Sequence, residues 1–361
     1  MPQGVRTSML PDVRATWFGR RTAAAVLRLS CVALLPLCLP ASHPGLPRGP
    51  EALQAPGISG ERRTIKVDVA LVIVPVVVTD AKGEHVSGLQ ESDFRIFENE
   101  LVQKIDRLIP STEPFHVALL LDRSGSTKMK SEDIQGSAVA FVEALRPQDR
   151  FLIASFDTRV TIHADFTNDR SLLQAAIRQI GSSGNSTRLY DAIKTVMTEH
   201  LDPLPGRKAL VLFTDGVDND SEQTDAGRTL ALIERSDVIG YAIQYDTRFE
   251  GRTDRFPLPP SQQPVSFATL YKQAGKFLRD LSSRSGGRPF QAETLPSLRE
   301  AFSRIAAELP QQYTLCYYPL QQARAGSFRR IRVTVNRQGV KVRARSGYRV
   351  AATSERVKSG R

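Results

Sequence analysis

The sequence is poor in the residues that most often carry catalysis or hold transition metals: three cysteines, five histidines and one tryptophan in 361 residues. Cys31 and Cys38 lie in an N-terminal apolar stretch, leaving Cys316 alone in the rest of the chain. That excludes an internal disulfide there and any cysteine spacing of the metal-binding type. His43 falls at the end of the same stretch, His116 and His163 inside strand-like runs, and His85 and His200 at turn or helix-end positions. Isolated in this way, they read as structural. No Gly-x-Ser-x-Gly elbow, Gly-x-x-x-x-Gly-Lys loop or Gly-x-Gly-x-x-Gly fingerprint occurs, so the usual marks of a serine hydrolase, a nucleotide hydrolase or a dinucleotide enzyme are missing. Long apolar runs are scarce too. The N-terminal one, Leu29 to Leu39, is interrupted by Pro36 and followed by Pro40, too short for a confident membrane span.

Charge is abundant but unevenly placed. Of the net +11, residues 1–41 carry +4 and residues 324–361 carry +11, which leaves about −4 for everything between. Basicity of this kind often signals nucleic acid. Here it belongs to a leader and a C-terminal region, no nucleic-acid motif accompanies it, and no nucleic-acid partner is expected.

Residues 1–43 have the pattern of an export signal: Arg14, Arg20, Arg21 and Arg28, then the apolar core, then small residues at Ala41 and Ser42. Arg20-Arg21 hints at twin-arginine export, Met9 would give a more typical leader, and an uncleaved anchor is the alternative. The expected location is the periplasm, cell envelope or exterior. Residues 44–63, rich in Pro and Gly, read as a linker. Residues 64–111 form an N-terminal β segment, with strands over 64–79, 86–89, 94–98 and 103–108. Residues 112–309 alternate strand and helix as a mostly parallel α/β domain does. Residues 310–350 return to β patterning, and 351–361 form a basic tail. The runs 330–335 and 340–345 alternate apolar and basic residues, and Asn336 to Gly339 between them predicts a hairpin. The two β segments each have too few strands for a core of their own, which predicts that they pack together as one small β-sandwich flanking the central domain.

The chain is organised around Phe115-His116-Val117-Ala118-Leu119-Leu120-Leu121-Asp122-Arg123-Ser124-Gly125-Ser126. A continuous apolar run reads as a central strand buried on both faces, and ligands of open α/β sheets lie at the carboxyl ends of such strands. Asp122, Ser124 and Ser126 offer one carboxylate and two hydroxyls at alternating positions of a tight loop. That set suits a small hard cation such as Mg²⁺, with Mn²⁺ as the other candidate, better than a metal that wants thiolate or imidazole. The plainer reading is a loop whose side chains cap the next helix.

Asp122-x-Ser124-x-Ser126 resembles the metal-ion-dependent adhesion site of von Willebrand factor A domains. Gly184-Asn185-Ser186-Thr187-Arg188-Leu189 resembles the Gly-x-x-Thr-x-Leu segment of that family, and Leu210-Val211-Leu212-Phe213-Thr214-Asp215-Gly216 its second apolar strand ending in Thr-Asp-Gly. The resemblance implies a Rossmann-like α/β fold and a metal set of Asp122, Ser124, Ser126, Thr187 and Asp215. It also implies a partner-binding rim at Arg123, Thr127, Ser186, Arg188 and Gly216. With the patterns at Val78 to Gly83, Asp93 to Glu98 and Arg345 to Tyr348, the chain resembles the bacterial VWFA-related proteins of acidobacterial type.

The expectation is a non-enzymatic, Mg²⁺-dependent module that captures an Asp or Glu carboxylate of a partner protein. An envelope scaffold is the alternative, its basic strands (Arg330, Arg332, Lys341, Arg343, Arg345) holding an anionic polymer. A metal-assisted hydrolase comes third, because no general base can be named. Asp218, Asn219 and Asp220 form either a second cation site or a solvated acidic loop, and Asp191 either extends an outer shell of the metal, faces solvent or caps a neighbour.

Overall fold

Strand β1 (Val72–Thr79) opens the region that the computed structural model describes, residues 71–123, 131–181, 186–245 and 267–351. The expected leader, linker and basic tail, the first residues of the 64–79 strand and the proline-rich sequence 247–265 lie outside it. Asp80 turns the chain after β1, its carboxylate accepting from the Lys82 and Glu84 amides. Residues 86–89 were expected as a strand, but only a single bridge, Thr79 to His85, forms there. The Tyr313 hydroxyl replaces the ladder, accepting from Leu89 N (3.1 Å) and donating to Val86 O (2.9 Å). β2 (Phe94–Glu98), β3 (Leu101–Gln103) and β4 (Ile105–Ile109) follow.

The central domain begins at β5 (Phe115–Asp122) and runs through α1 (Ser131–Ala144), β6 (Arg150–Phe156), β7 (Val160–Thr167) and α2 (Arg170–Arg178). Next come α3 (Leu189–Thr195), which widens into a π turn over Val196–Leu201, β8 (Arg207–Thr214), α4 (Ala226–Arg235) and β9 (Ile239–Tyr245). It closes with α5 (Phe267–Ser285), β10 (Pro289–Ala292) and α6 (Leu295–Glu308). Its sheet has the order β10-β9-β8-β5-β6-β7, parallel except for β7, which pairs antiparallel with β6 at the edge. Helix starts are set locally: Asp169 and Asp225 accept amide protons of the first turns of α2 and α4, and Thr294 with Ser297 makes a reciprocal cap on α6.

The apolar run of β5 alternates between two cores. Val117, Leu119 and Leu121 face α1, α2 and α6, while Ala118 and Leu120 face α3, α4 and α5. Burial on both faces is what a central parallel strand requires, and truncating Leu120 to Ala would cost roughly 2–5 kcal/mol.

β11 (Tyr313–Tyr317), β12 (Phe328–Val335), β13 (Lys341–Ala344) and β14 (Gly347–Arg349) complete the chain. N- and C-terminal strands interleave in two four-stranded sheets, β13-β1-β11-β4 and β14-β12-β2-β3. The sheets share one core, with Val74, Val76 and Leu315 from the first and Phe94, Ile96 and Ile331 from the second. The expected sandwich is therefore present, but the expected hairpin is not. β12 pairs with β2 and β14, whereas β13 pairs with β1 across the sandwich. Both layers bury alternate residues toward the same core, so alternation cannot tell a hairpin from a corner that changes sheets. Inside the sandwich, buried Glu98 accepts from Tyr317 (2.8 Å) and Tyr348 (2.9 Å) and is ion-paired with Arg329 at 3.3 Å, and burial followed by Glu98 raises both phenol pKa values.

Both connections between sandwich and central domain lie at the amino edge of the six-stranded sheet, where Arg207 secures them. Its guanidinium donates to Ser111 O, Glu113 O, Leu309 O and Gln312 O at 2.8–3.2 Å and lies 4.0 Å over the Phe115 ring. Burial lowers its pKa to about 10. Arg345 does the same further along, donating to Glu234 O, Ser236 O and Gly347 O, while Arg343 pairs with buried Glu308. The five basic residues expected as one outward stripe are therefore divided: Arg343 and Arg345 turn toward the central domain. Among the described residues, no helix is long and apolar enough to cross a membrane, and Cys316 is buried with a free thiol.

Candidate functional site

Parallel pairing of β5 with β8, in register from Phe115 opposite Arg207 to Leu121 opposite Phe213, brings Asp122 beside Thr214 at the carboxyl edge. The Thr214 hydroxyl donates to Asp122 Oδ2 at 2.6 Å and accepts from the Gly216 amide at 3.0 Å. Asp215, next in the chain, accepts from Val217 N at 2.9 Å, and its own carbonyl accepts from Gln244 Nε2 at 3.0 Å. Asp122 and Asp215 are 3% exposed and Thr187 6%. Two carboxylates at adjacent strand ends and a threonine hydroxyl are thus withdrawn from bulk water. Ser124 and Ser126 of the expected metal set, and Thr127 of the expected rim, lie outside the described residues.

Gly216 packs inward, not on the rim. Its φ of +83° is open to glycine, and a Cβ there would meet Leu278 Cδ1 of α5 at 2.8 Å. The strand end bearing Asp215 can sit this close to α5 only without a side chain.

Thr187 is held by a part of the chain roughly 30 residues away in sequence. Asn219 Oδ1 accepts from the Thr187 amide (2.7 Å) and from Ser186 Oγ (2.9 Å), and the Asn219 amide donates to Thr187 O (3.1 Å). Asp218 accepts from Tyr190 N at 3.2 Å. In the other direction, Asp191, 6% exposed, accepts from the amides of Glu222, Gln223 and Thr224 at 2.9–3.0 Å. Asp191 is therefore a cap for that loop. The acidic segment 218–220 is no free solvated loop either, since Asp218 and Asn219 fasten it to the segment bearing Thr187. Burial raises the Asp218 carboxyl pKa, with its hydrogen bonds opposing the shift. Burial likewise pushes Tyr190 up to about 12, helped by Asp218.

On the rim, Arg188 is paired to Asp220 (2.9 Å) and Glu222 (2.8 Å), and Arg123 lies 3.4 Å from Asp157. Asp157 directly follows the neighbouring strand β6, and its carbonyl accepts from Arg188 N at 2.8 Å. The bridging roles of Asp157 and Asn219 escaped the sequence reading. The one signal for Asp157 is its place just past a buried strand, as with Asp122. A Ser155 Oγ to His163 Nε2 contact of 2.7 Å also lies close by, but Ser155 is fully buried and presents no accessible nucleophile. Burial lowers the His163 pKa, with Arg123 adding to the effect.

The donors at this edge are oxygens, and among the described residues no group of three or more His, Cys, Asp or Glu side chains forms a metal-type cluster. Carboxylates plus hydroxyls are a donor set that fits a hard divalent cation, which would also offset the repulsion of Asp122 and Asp215.

A family model, the von Willebrand factor type A domain, matches residues 116–303, more than half of the chain. No curated protein matches the sequence. Among solved structures, a von Willebrand factor type A protein from Catenulispora acidiphila is 12% identical with a TM-score of 0.44, covering 73% of this chain and 76% of its own. The vWF domain of the type V pili tip protein Mfa5 from Porphyromonas gingivalis is 14% identical (TM-score 0.42, 54% of this chain and 94% of its own). Proximal thread matrix protein 1 from the mussel byssus, solved with a zinc-occupied MIDAS motif, is 14% identical with a TM-score of 0.44 over 59% of this chain. This chain covers 49% of the mussel protein, about half its length. On the family match, the chain belongs to the von Willebrand factor type A domain family.

Proposed function

We propose that this chain is a metal-dependent protein-binding module that takes up a carboxylate side chain of a partner protein. One observation supports the reading: Asp122 and Asp215, both buried, stand at adjacent strand ends, and Thr187 is similarly buried. Asp122, Thr187 and Asp215, with Ser124 and Ser126, would hold the ion, and Mg²⁺ or Mn²⁺ suits their oxygens. When bound, the cation supplies an electrophilic position at which an Asp or Glu of the partner can replace water. The chain's own part is to fix the donors. Thr214 orients the Asp122 carboxylate, and Asn219 holds the Thr187 backbone. Arg123, Ser186 and Arg188 would then frame the partner's contact.

Binding, not turnover, is the activity, and the N-terminal leader pattern supports a site of action outside the cytoplasm. The scaffold reading with an anionic polymer on a basic stripe loses support, since Arg343 and Arg345 are engaged with the central domain and exposed Arg332 is paired with Glu100 at 2.7 Å.

Calorimetric titration of the mature protein with Mg²⁺ and Mn²⁺ into the millimolar range tests the reading, alongside Asp122→Ala and Thr187→Ala. Saturable binding in the wild type that both variants lose supports it. Absence of wild-type binding, or unchanged binding in both variants, sinks it. Partner capture that disappears with chelator then identifies the ligand.

A further inference from the structure

At the opposite, amino edge of the six-stranded sheet, a cleft of about 260 Å³ opens between the sandwich and the central domain. Its walls are Val77, Thr79, Gly83 and His85 of the first sandwich strand and the turn after it, Lys341 and Arg343 of β13, and Arg288 and Glu308 of the central domain. Three cations therefore face one carboxylate.

That carboxylate is already served from behind. Glu308 is 3% exposed and accepts from Tyr241 Oη at 2.6 Å and from Arg343. Arg343 also donates to Gly286 O at 2.7 Å. Arg288 Nε stands 3.6 Å from Glu308, beyond hydrogen-bond reach, and is buried without a hydrogen-bond partner among the described residues. His85 Nδ1 is in the same position. Burial holds the His85 imidazole below its ordinary pKa, Glu308 opposing and Arg288 and Arg343 adding to the effect.

Buried polar atoms without partners are rare, and each calls for an unseen one. The Arg288 N–H can only donate, and a polar cleft with excess positive charge, roomy enough for several waters, suits a small acceptor carrying negative charge. We infer that this cleft binds a small multivalent oxyanion of the phosphate class through Arg288, His85 and Lys341, with Arg343 behind them. This site is independent of the metal edge and of the carboxylate-capturing role proposed for it.

The test is titration of the full chain with inorganic phosphate, followed by calorimetry and by backbone amide shifts in ¹⁵N NMR. The expected result is saturable binding that perturbs the amides of Gly83, His85 and Lys341. Arg288→Gln and Lys341→Gln should each weaken it on the order of tenfold, the loss of one charge-assisted hydrogen bond. Asp122→Ala should leave it unchanged, which separates its fate from that of the metal site. Glycerol 3-phosphate titrated in parallel tells the source. Weaker binding of the ester assigns the cleft to the free ion, and equal or tighter binding assigns it to a phosphoryl group on a larger molecule. No saturable binding in the wild type, or shifts that avoid these three amides, would overturn the inference. The shift pattern decides the matter even if the variants fail to fold.

Discussion

Replacing Asp191 by asparagine tests whether the loop behind the candidate metal site is held by charge-assisted hydrogen bonds. Asp191 Oδ1 accepts from Gln223 N and Thr224 N, both at 3.0 Å, and Oδ2 accepts from Glu222 N at 2.9 Å. An asparagine keeps the shape but can offer only one carbonyl oxygen. Whichever way its amide is turned, an NH₂ faces at least one backbone N–H, and the negative charge is gone. A hydrogen bond to a charged acceptor contributes about 1.5–3 kcal/mol. Losing one or two of them should destabilise the loop by about 2–4 kcal/mol. Urea unfolding followed by circular dichroism reads the global part, and hydrogen exchange of the amides of residues 222–224 reads the local part. Asp220→Asn is the control. It touches only the solvent-accessible Arg188 pair and should leave the unfolding midpoint close to that of the wild type. If Asp191→Asn matched the wild type within about 0.5 kcal/mol and residues 222–224 kept their exchange protection, the proposed role of Asp191 would be refuted.

Arg207→Met removes the donors of four backbone carbonyls at both connections between the two parts of the protein. It should lower stability by about 2–4 kcal/mol in denaturant unfolding, and an unchanged midpoint would contradict the role given to Arg207. Gly216→Ala forces a Cβ into α5 at a positive φ. We expect a cost of about 1–3 kcal/mol together with weaker Mg²⁺ binding; full stability and affinity would show that α5 yields freely. The pKa values of His85, His116 and His163 are all lowered, burial being the first cause in each. Between the native value and the unfolded value of 6.5, the unfolded chain holds more protons. Stability should therefore fall as pH drops below that value, by at most about 1.4 kcal/mol per pH unit for each histidine. His163→Gln should flatten the slope measured between neutral and mildly acidic buffer, and an identical slope would remove His163 from the account.

The parts of the fold legible in the sequence were those in which one strand's own pattern decides the matter. Val117 to Leu121 is apolar without interruption because both its faces are covered, and a central strand suits such a run. The parts that were not legible depend on which neighbour covers a face. Val340 to Arg345 alternates equally well as half of a hairpin or as a strand of the opposite sheet, and only the pairing of Val78 with Val342 decides between them. Arg343 and Arg345 read as water-facing for the same reason, since alternation gives a side but not what lies on it. At the candidate site, Asp122 and Asp215 announce themselves by following apolar runs. Asn219 and Asp191 act on backbone amides roughly 30 residues away, and a backbone amide leaves no trace in residue identity.

The uneven charge of the sequence finds its physical use in this architecture. In a parallel α/β domain the first strand starts, and the last helix ends, at the amino edge of the sheet. Phe115 and Glu308 therefore bring both connections to one side, and the sandwich that shares them must dock there. The C-terminal arginines meet a mildly acidic central domain at that junction: Arg343 on Glu308, Arg349 on Glu234 at 2.9 Å, and Arg345 on the carbonyls of Glu234 and Ser236. Buried guanidinium groups are tolerated only where their donors are met, and main-chain carbonyls at helix ends, carrying the negative pole of the helix, meet them here. With both connections and Arg343, Arg345 and Arg349 engaged at the amino edge, the sandwich is anchored away from Asp122, Thr187 and Asp215. The carboxyl edge is left as the face on which a partner can act.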